Sequence, residues 1–158
     1  MRDSGAEVPL RIIVTAPPPG ILYALQENRD PVAQTQSTGG DLAFELTLRV
    51  RRDPATGRVR FLGPYAQGPA SGRFVYICLG TYAGDPVSRW GGRMKVPLAG
   101  LDWPSIERAA AEAGAVLEAR VSGTGKDGRP ACASVPLLGD GWVLVKPKRP
   151  AGSVRGVK

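Results

Sequence analysis

Residues 42–51 read LAFELTLRVR, a stretch in which apolar and polar side chains alternate without a break. This alternation is typical of a half-buried β-strand, because successive side chains of a strand point to opposite faces. Residues 53–57 have the composition of a turn, and residues 58–61 alternate again. We therefore predict a hairpin over residues 42–61. Its solvent-facing side would carry Glu45 and the arginines Arg49, Arg51, Arg58 and Arg60.

Strand-like patterns recur along most of the chain. They cover residues 8–16, 21–27, 74–82, 93–98, 115–121, 131–137 and 142–146. The polar, glycine-containing residues 28–41 are interpreted as a long loop. Strands joined by short turns favour an antiparallel sheet over a parallel sheet with intervening helices.

One helix is predicted near residues 103–113. Asp102 can cap its N-terminus, Pro104 fits its first turn and Gly114 can end it. Its docking face would consist of Trp103, Ile106, Ala110 and Ala113. The predicted fold is mainly β, an antiparallel β-sandwich or partly closed barrel of about nine strands with this helix packed across it.

The length of 158 residues fits one domain. We predict a flexible N-terminus over residues 1–7, a single β-rich domain over residues 8–147 and a basic, disordered tail over residues 148–158. No apolar run approaches the roughly 20 residues that span a bilayer. The N-terminal residues also lack the apolar stretch of a signal peptide, so a cytoplasmic protein is expected.

The net charge of +7 is concentrated at the C-terminus. The basic residues from position 146 onward are Lys146, Lys148, Arg149, Arg155 and Lys158, with no acidic residue among them. Without these five the chain has 16 basic and 14 acidic residues, a net charge of +2. Nucleic-acid or other polyanion binding is therefore an alternative hypothesis, carried by the arginine face of the hairpin together with Lys148 and Arg149. Contact through the tail alone would be weak and nonspecific.

Histidine is absent, which removes the commonest general base and zinc ligand near neutral pH. The two cysteines, Cys78 and Cys132, lie far apart in the sequence and form no metal-binding knuckle. We expect no metal and no cofactor, and no catalytic residue is assigned. An enzyme that uses Asp, Glu or Cys132 is kept as a second alternative, because carboxylate pairs meet through space and not through spacing.

Residues 123–128 match the letters G-x-G-x-x-G of dinucleotide-binding loops. That fingerprint needs a following helix whose N-terminus meets the pyrophosphate. Here Pro130 and a strand pattern follow, so the stretch is interpreted as a hairpin turn.

Two other segments supply candidate ligand-binding residues. Residues 88–95 combine an aromatic residue and cations beside glycines, as in a site for an anion or a nucleotide base. Residues 63–69 form a loop bracketed by glycine and proline, which can position side chains rigidly. The candidates from these segments and the strand between them are Tyr65, Gln67, Arg73, Trp90, Arg93 and Lys95.

The chain also resembles a bacterial family of small uncharacterised proteins, the domain of unknown function DUF5990. The resemblance covers residues 9–146 and rests on residues 17–20, 25–27, 63–69, 73–77, 88–98, 123–128 and 132–133. It implies a single bacterial, intracellular domain and no particular reaction, cofactor or partner. The first hypothesis remains a non-enzymatic β domain that binds a small ligand or a protein partner. Its loops 28–41, 63–72 and 83–92 are predicted to gather at one rim.

Overall fold

In the computed structural model, which describes residues 4–28, 30–67, 73–81, 89–126 and 128–146, strands dominate the chain. The strands, in chain order, are β1 (Ser4–Thr15), β2 (Ile21–Glu27), β3 (Asp30–Gln36), β4 (Leu42–Arg52), β5 (Val59–Leu62), β6 (Ala66–Gln67), β7 (Phe74–Thr81), β8 (Arg89–Pro97), β9 (Val116–Ser122), β10 (Ala133–Ser134) and β11 (Val143–Val145). The helix α1 (Trp103–Ala111) lies between β8 and β9. The prediction of a mainly β fold with one helix is confirmed.

The described strands form two sheets. The first sheet has the order β11-β9-β1-β4-β5, and the second has the order β10-β8-β7-β2-β3 with β6 paired beside one end of β7. Most neighbours are antiparallel, but β9 runs parallel to β1 and β10 runs parallel to β8. The antiparallel arrangement that the sequence predicts therefore holds for most pairs but not for these two, so both sheets are mixed. The chain enters β9 from the other sheet through α1, and such a crossover can deliver a strand in the direction of its neighbour.

The core lies between the two sheets. Alternate residues of β1 and β4 face inward from the first sheet, and those of β7 and β8 face inward from the second. The inward side chains of these strands are Val8, Leu10, Ile12, Val14, Phe44, Leu46, Leu48, Val50, Val75, Ile77, Leu79, Met94 and Val96. One hydrophobic cluster therefore holds both sheets together, and the architecture is sandwich-like.

The predicted hairpin is confirmed as the antiparallel pair β4–β5. Val50 stands opposite Phe61 on the inner side, and Arg51 stands opposite Arg60 on the outer side. Arg49 and Arg58 are also exposed. The alternation of residues 42–51 thus assigned each side chain to its correct face.

Helix α1 begins as the sequence predicts. The carboxylate of Asp102 accepts a hydrogen bond of 2.9 Å from the backbone N–H of Ser105. The buried residues of the helix are Ile106 and Ala109, which pack against the first sheet. The predicted docking residues Ala110 and Ala113 are exposed, and this part of the prediction is wrong. Each helical residue is rotated by about 100° from the one before it, so Ala110 lies off the face that Ala109 defines.

Two segments predicted as irregular are strands. Residues 4–7, assigned to a flexible N-terminus, belong to β1, where Glu7 pairs with Arg49 of β4. Residues 30–36, assigned to a loop, form the edge strand β3 beside β2. Both segments take part in backbone pairing that needs no apolar side-chain pattern, and β3 is mostly exposed.

The predicted basic tail lies beyond the part of the chain that the structure describes. Residues 147–158, including Lys148 and Arg149, lie outside the described residues. Among the residues that are described, no helix is long and apolar enough to cross a membrane.

Candidate functional site

The described residues that flank two of the predicted binding loops lie at opposite ends of β7. Residues 68–72 and 82–88 lie outside the described part of the chain, but Gln67 and Arg73 border the first gap and Thr81 and Arg89 border the second. Trp90 pairs with Gly80 at one end of β7, while Gln67 pairs with Phe74 at the other. Six residues of strand separate these levels, a distance of about 20 Å. Trp90 and Gln67 therefore do not share one rim. The gathering of the loops themselves at one rim stays a prediction, because residues 68–72 and 83–88 lie outside the described residues.

Tyr65 holds its loop against the end of β2. Its hydroxyl donates a hydrogen bond of 3.1 Å to Oε2 of Glu27, and the backbone N–H of Asn28 donates to the carbonyl of Pro64 at 2.6 Å. Burial raises the pKa of the Tyr65 hydroxyl, and the Glu27 carboxylate adds to this effect. Tyr65 thus joins two connectors, and its polar group already has a partner.

Arg93 lies on the outer face of the second sheet. Its guanidinium carbon is 4.5 Å from the centre of the Tyr76 ring, and Nη1 donates to Oε1 of Gln26 at 3.3 Å. The Cys78 thiol contacts the same oxygen at 3.5 Å. Burial raises the pKa of this thiol, and the nearby Arg93 opposes that effect. The aromatic partner of Arg93 is thus Tyr76.

Lys95 and Arg73 lie toward the other end of β8. Lys95 stands opposite Tyr76, and its carbonyl accepts from the backbone N–H of Val135. Arg73 precedes β7, and its carbonyl accepts a 2.9 Å hydrogen bond from the backbone N–H of Leu98. Arg73 also borders an open apolar cavity.

This cavity, hereafter the inter-sheet cleft, opens between the edge strand β5 and the adjoining ends of β7 and β8. It has a volume of about 460 Å³. Its lining residues are Arg58, Val59, Phe61, Arg73, Phe74, Pro97, Leu98 and Ala99. Two arginines, one directly before a strand of each sheet, thus border an otherwise apolar cavity.

Local turns fix both arginines. Arg58 ends the β4–β5 turn, where its carbonyl accepts a 2.9 Å hydrogen bond from the N–H of Asp53. The Asp53 carboxylate accepts from the N–H of Ala55, and this bond, with help from Thr56, lowers the pKa of Asp53. Arg58 and Arg73 are both exposed residues, so an anion can reach them at the mouth of the cleft.

The outer face of the first sheet divides into two electrostatic regions. At one end Arg11 bridges Glu45 at 2.9 Å and Glu118 at 3.0 Å, and Arg120 lies 3.6 Å from Glu118. These carboxylates raise the pKa of Arg11, Glu118 more than Glu45. The other end carries the exposed arginines Arg49, Arg51 and Arg60. Charge is balanced at the first end and predominantly positive at the second.

The G-x-G-x-x-G stretch is a turn. The N–H of Gly125 donates to the carbonyl of Arg129, and the N–H of Gly128 donates to the carbonyl of Gly125. The short strand β10 follows in place of a helix. Cys132, beyond this turn, is exposed, and Cys78 is buried; neither forms a disulfide. Within the described ranges no three His, Cys, Asp or Glu side chains gather as a metal site.

Sequence reasoning did not assign Phe61, Phe74 and Leu98 to a site. Each is apolar and belongs to a strand or its end, where burial in the core is the ordinary expectation. Phe61 and Phe74 each follow an arginine directly, and this is the signal that the sequence contains. It does not reveal that the two segments lie next to each other.

Two mixed sheets with one helix define a sandwich-like α+β domain with an arginine-bordered cleft. The chain belongs to the family DUF5990, described as a family of unknown function, whose model matches residues 8–145. No curated protein and no solved structure matches the chain.

Proposed function

We propose that this domain is a non-enzymatic binding module that takes a small organic anion with an apolar body in the inter-sheet cleft. The observation that supports this function is the pair Arg58 and Arg73 at the mouth of an apolar cavity. A guanidinium binds a carboxylate or phosphate through paired N–H donors, while the apolar wall takes up the remainder of the ligand.

The size and chemistry of the cleft favour binding over catalysis. Its volume of about 460 Å³ falls within the range of small-molecule sites. Its described lining residues include no carboxylate, thiol or hydroxyl that could act as nucleophile or general base.

The test is titration calorimetry with 3-phenylpropionate and with its neutral analogue 3-phenylpropanol. We expect the carboxylate to bind more tightly, and Arg58→Gln or Arg73→Gln to weaken its binding about tenfold. Arg49→Gln is the matched control, because Arg49 is equally exposed but faces away from the cleft. No binding of either compound, equal binding of both, or equal loss in the Arg49 variant would contradict the proposal.

Polyanion binding is a second candidate function, favoured by the register that places Arg51 opposite Arg60 with Arg49 two residues away. A phosphate backbone could follow this row of exposed charges. We expect the protein to shift the electrophoretic mobility of a single-stranded oligonucleotide, and the affinity to fall as the salt concentration rises. The double variant Arg49→Glu/Arg60→Glu should bind the oligonucleotide more weakly than the wild type at each salt concentration. Arg108→Glu on the exposed side of α1 is the control. Deleting residues 148–158 measures the contribution of the tail, including Lys148 and Arg149. An affinity for the oligonucleotide that does not depend on salt concentration would contradict polyanion binding.

We also propose a cytoplasmic location and a bacterial origin for the domain. Two cysteines that remain free thiols, one of them exposed, are compatible with a reducing compartment. Cell fractionation followed by thiol labelling tests the location: the protein is expected in the cytosolic fraction with both thiols reduced.

A further inference from the structure

Two further cavities lie at the end of the sandwich opposite the inter-sheet cleft. The larger, of about 560 Å³, is lined by residues from the segments 122–126 and 129–136. The smaller, of about 280 Å³, is lined by Ile21, Leu79, Gly80, Gly92 and the segment 129–132. Arg129, Pro130 and Cys132 border both, so one small molecule could occupy the two together.

The turn that carries the charged residues of this site is anchored to the first connector of the chain. The N–H of Gly123 donates to the carbonyl of Thr15 at 2.7 Å, and the Thr124 hydroxyl donates to the carbonyl of Ala16 at 2.9 Å. Gly123 lies so close to Pro17 that an added Cβ would be 2.6 Å from the Pro17 Cα. The turn is therefore held in place before any ligand arrives.

The backbone of the turn does not provide the recognition. The N–H groups of Gly123, Gly125 and Gly128 already donate to carbonyls, so they do not form the phosphate cradle of a glycine-rich loop. The charged side chains among the described lining residues are Lys126 and Arg129, and both are exposed. Recognition of an anion here would come from these two cations.

We propose that this site binds a phosphate monoester. Its phosphoryl group lies between Lys126 and Arg129, and its organic group covers Pro130 and Cys132 and enters the smaller, mainly apolar cavity. Lys126 and Arg129 supply N–H donors and positive charge for the phosphoryl oxygens, and the adjoining apolar surface favours an ester over free phosphate. The site is separate from the inter-sheet cleft and does not depend on the function proposed for that cleft.

Cys132 supplies a readout inside the site, because its thiol is exposed and lines both cavities, while the buried Cys78 serves as an internal reference. The full chain is alkylated with iodoacetamide, and the rate at each cysteine is followed by peptide mass spectrometry. The probe is phenyl phosphate, with phenol and inorganic phosphate as its neutral and compact counterparts. We expect phenyl phosphate to slow alkylation of Cys132 severalfold, inorganic phosphate to do so less, and phenol to leave it unchanged.

Variants locate the phosphoryl group. Lys126→Gln and Arg129→Gln are each expected to weaken the protection by phenyl phosphate about tenfold. Arg73→Gln, which alters the inter-sheet cleft, is expected to leave the protection intact. Thermal unfolding of each variant verifies that it is folded, and Lys126, as an exposed turn residue, can change without loss of the fold.

Three outcomes would overturn the proposal. The first is an unchanged Cys132 rate at about 10 mM phenyl phosphate, where even a site with a Kd of about 1 mM is filled. The second is equal protection by phenol, which would mean that the cavity binds the phenyl group whether or not a phosphoryl group is attached. The third is protection by phenyl phosphate that is unchanged in each of the single variants Lys126→Gln and Arg129→Gln.

Discussion

At the scale of single residues, the buried hydroxyl of Tyr23 lowers the stability of the fold. Its side chain is fully buried, and its hydroxyl has no hydrogen-bond partner among the described residues. A buried unsatisfied hydroxyl costs about 1–3 kcal/mol. We therefore expect Tyr23→Phe to raise the free energy of unfolding by about 1 kcal/mol in urea titrations. Tyr65→Phe, which removes a hydroxyl bonded to Glu27, is the contrasting variant and should bring no gain.

The same residue predicts a dependence on alkaline pH. Burial raises the pKa of Tyr23 to about 12, whereas an unfolded tyrosine ionises near its usual value of about 10. Ionisation therefore favours the unfolded chain, and stability falls as the pH rises from about 10 toward 12. Relative to Tyr23→Phe, the wild type should lose about 1 kcal/mol between pH of about 9 and about 11. An equal loss in both proteins would contradict the assignment to Tyr23.

Gly123 shows how closely two connectors pack. An added Cβ would meet the Pro17 backbone at 2.6 Å, and backbone cannot move aside as a long side chain can. We expect Gly123→Ala to lower the free energy of unfolding by about 2 kcal/mol. Gly40→Ala is the control, since no atom lies within 4 Å of its added Cβ. A change of less than about 0.5 kcal/mol at Gly123 would show that the contact can relax.

At the scale of elements, the start of α1 depends on one carboxylate. Hydrogen bonds from Ser105 lower the pKa of Asp102, so its stabilising effect persists at neutral pH and is lost as the pH falls through that lowered value. We expect Asp102→Ala to lower the Tm at pH 7 more than Asp102→Asn, which keeps an acceptor oxygen. The difference in Tm between the wild type and Asp102→Asn, measured by differential scanning calorimetry, should shrink toward pH 3. A difference in Tm that stays constant with pH would contradict this account.

The elements also show what the sequence could and could not predict. Hairpin β4–β5 was predictable because residues 42–51 alternate strictly and a turn follows. Strand β3 was not, since an exposed edge strand needs few apolar residues and its sequence reads like a loop. The parallel pairing of β1 with β9 was also hidden, because no local pattern specifies a partner more than 100 residues away.

The site was harder to predict than the fold for a related reason. Arg73 and Arg58 were identified as candidates, but for different roles, and only the strand order brings them to one cleft. The sequence predicts Trp90 and Gln67 as neighbours in one binding rim, yet their backbones pair with opposite ends of β7. A site made by two sheets depends on how the sheets face each other, and side-chain periodicity does not encode that.

At the scale of the whole molecule, both sheets contribute to one hydrophobic cluster. We therefore expect a single unfolding transition, with tryptophan fluorescence and far-UV circular dichroism changing together. Ile12→Ala in the first sheet and Ile77→Ala in the second should each shift this one transition, by about 3 kcal/mol. Ile13→Ala, whose side chain is only half-buried, should cost about 1 kcal/mol. Two separable transitions would mean that the sheets unfold independently.

The position of β1 has a consequence for how the protein is made. This strand leaves the ribosome before the other described strands, yet it lies in the middle of its sheet, between residues 42–52 and residues 116–122. Until translation has passed residue 122, one flank of β1 has bare N–H and C=O groups that can pair with a wrong strand or another nascent chain. Polypeptides released before that point are therefore the ones that cellular quality control must recognise and remove.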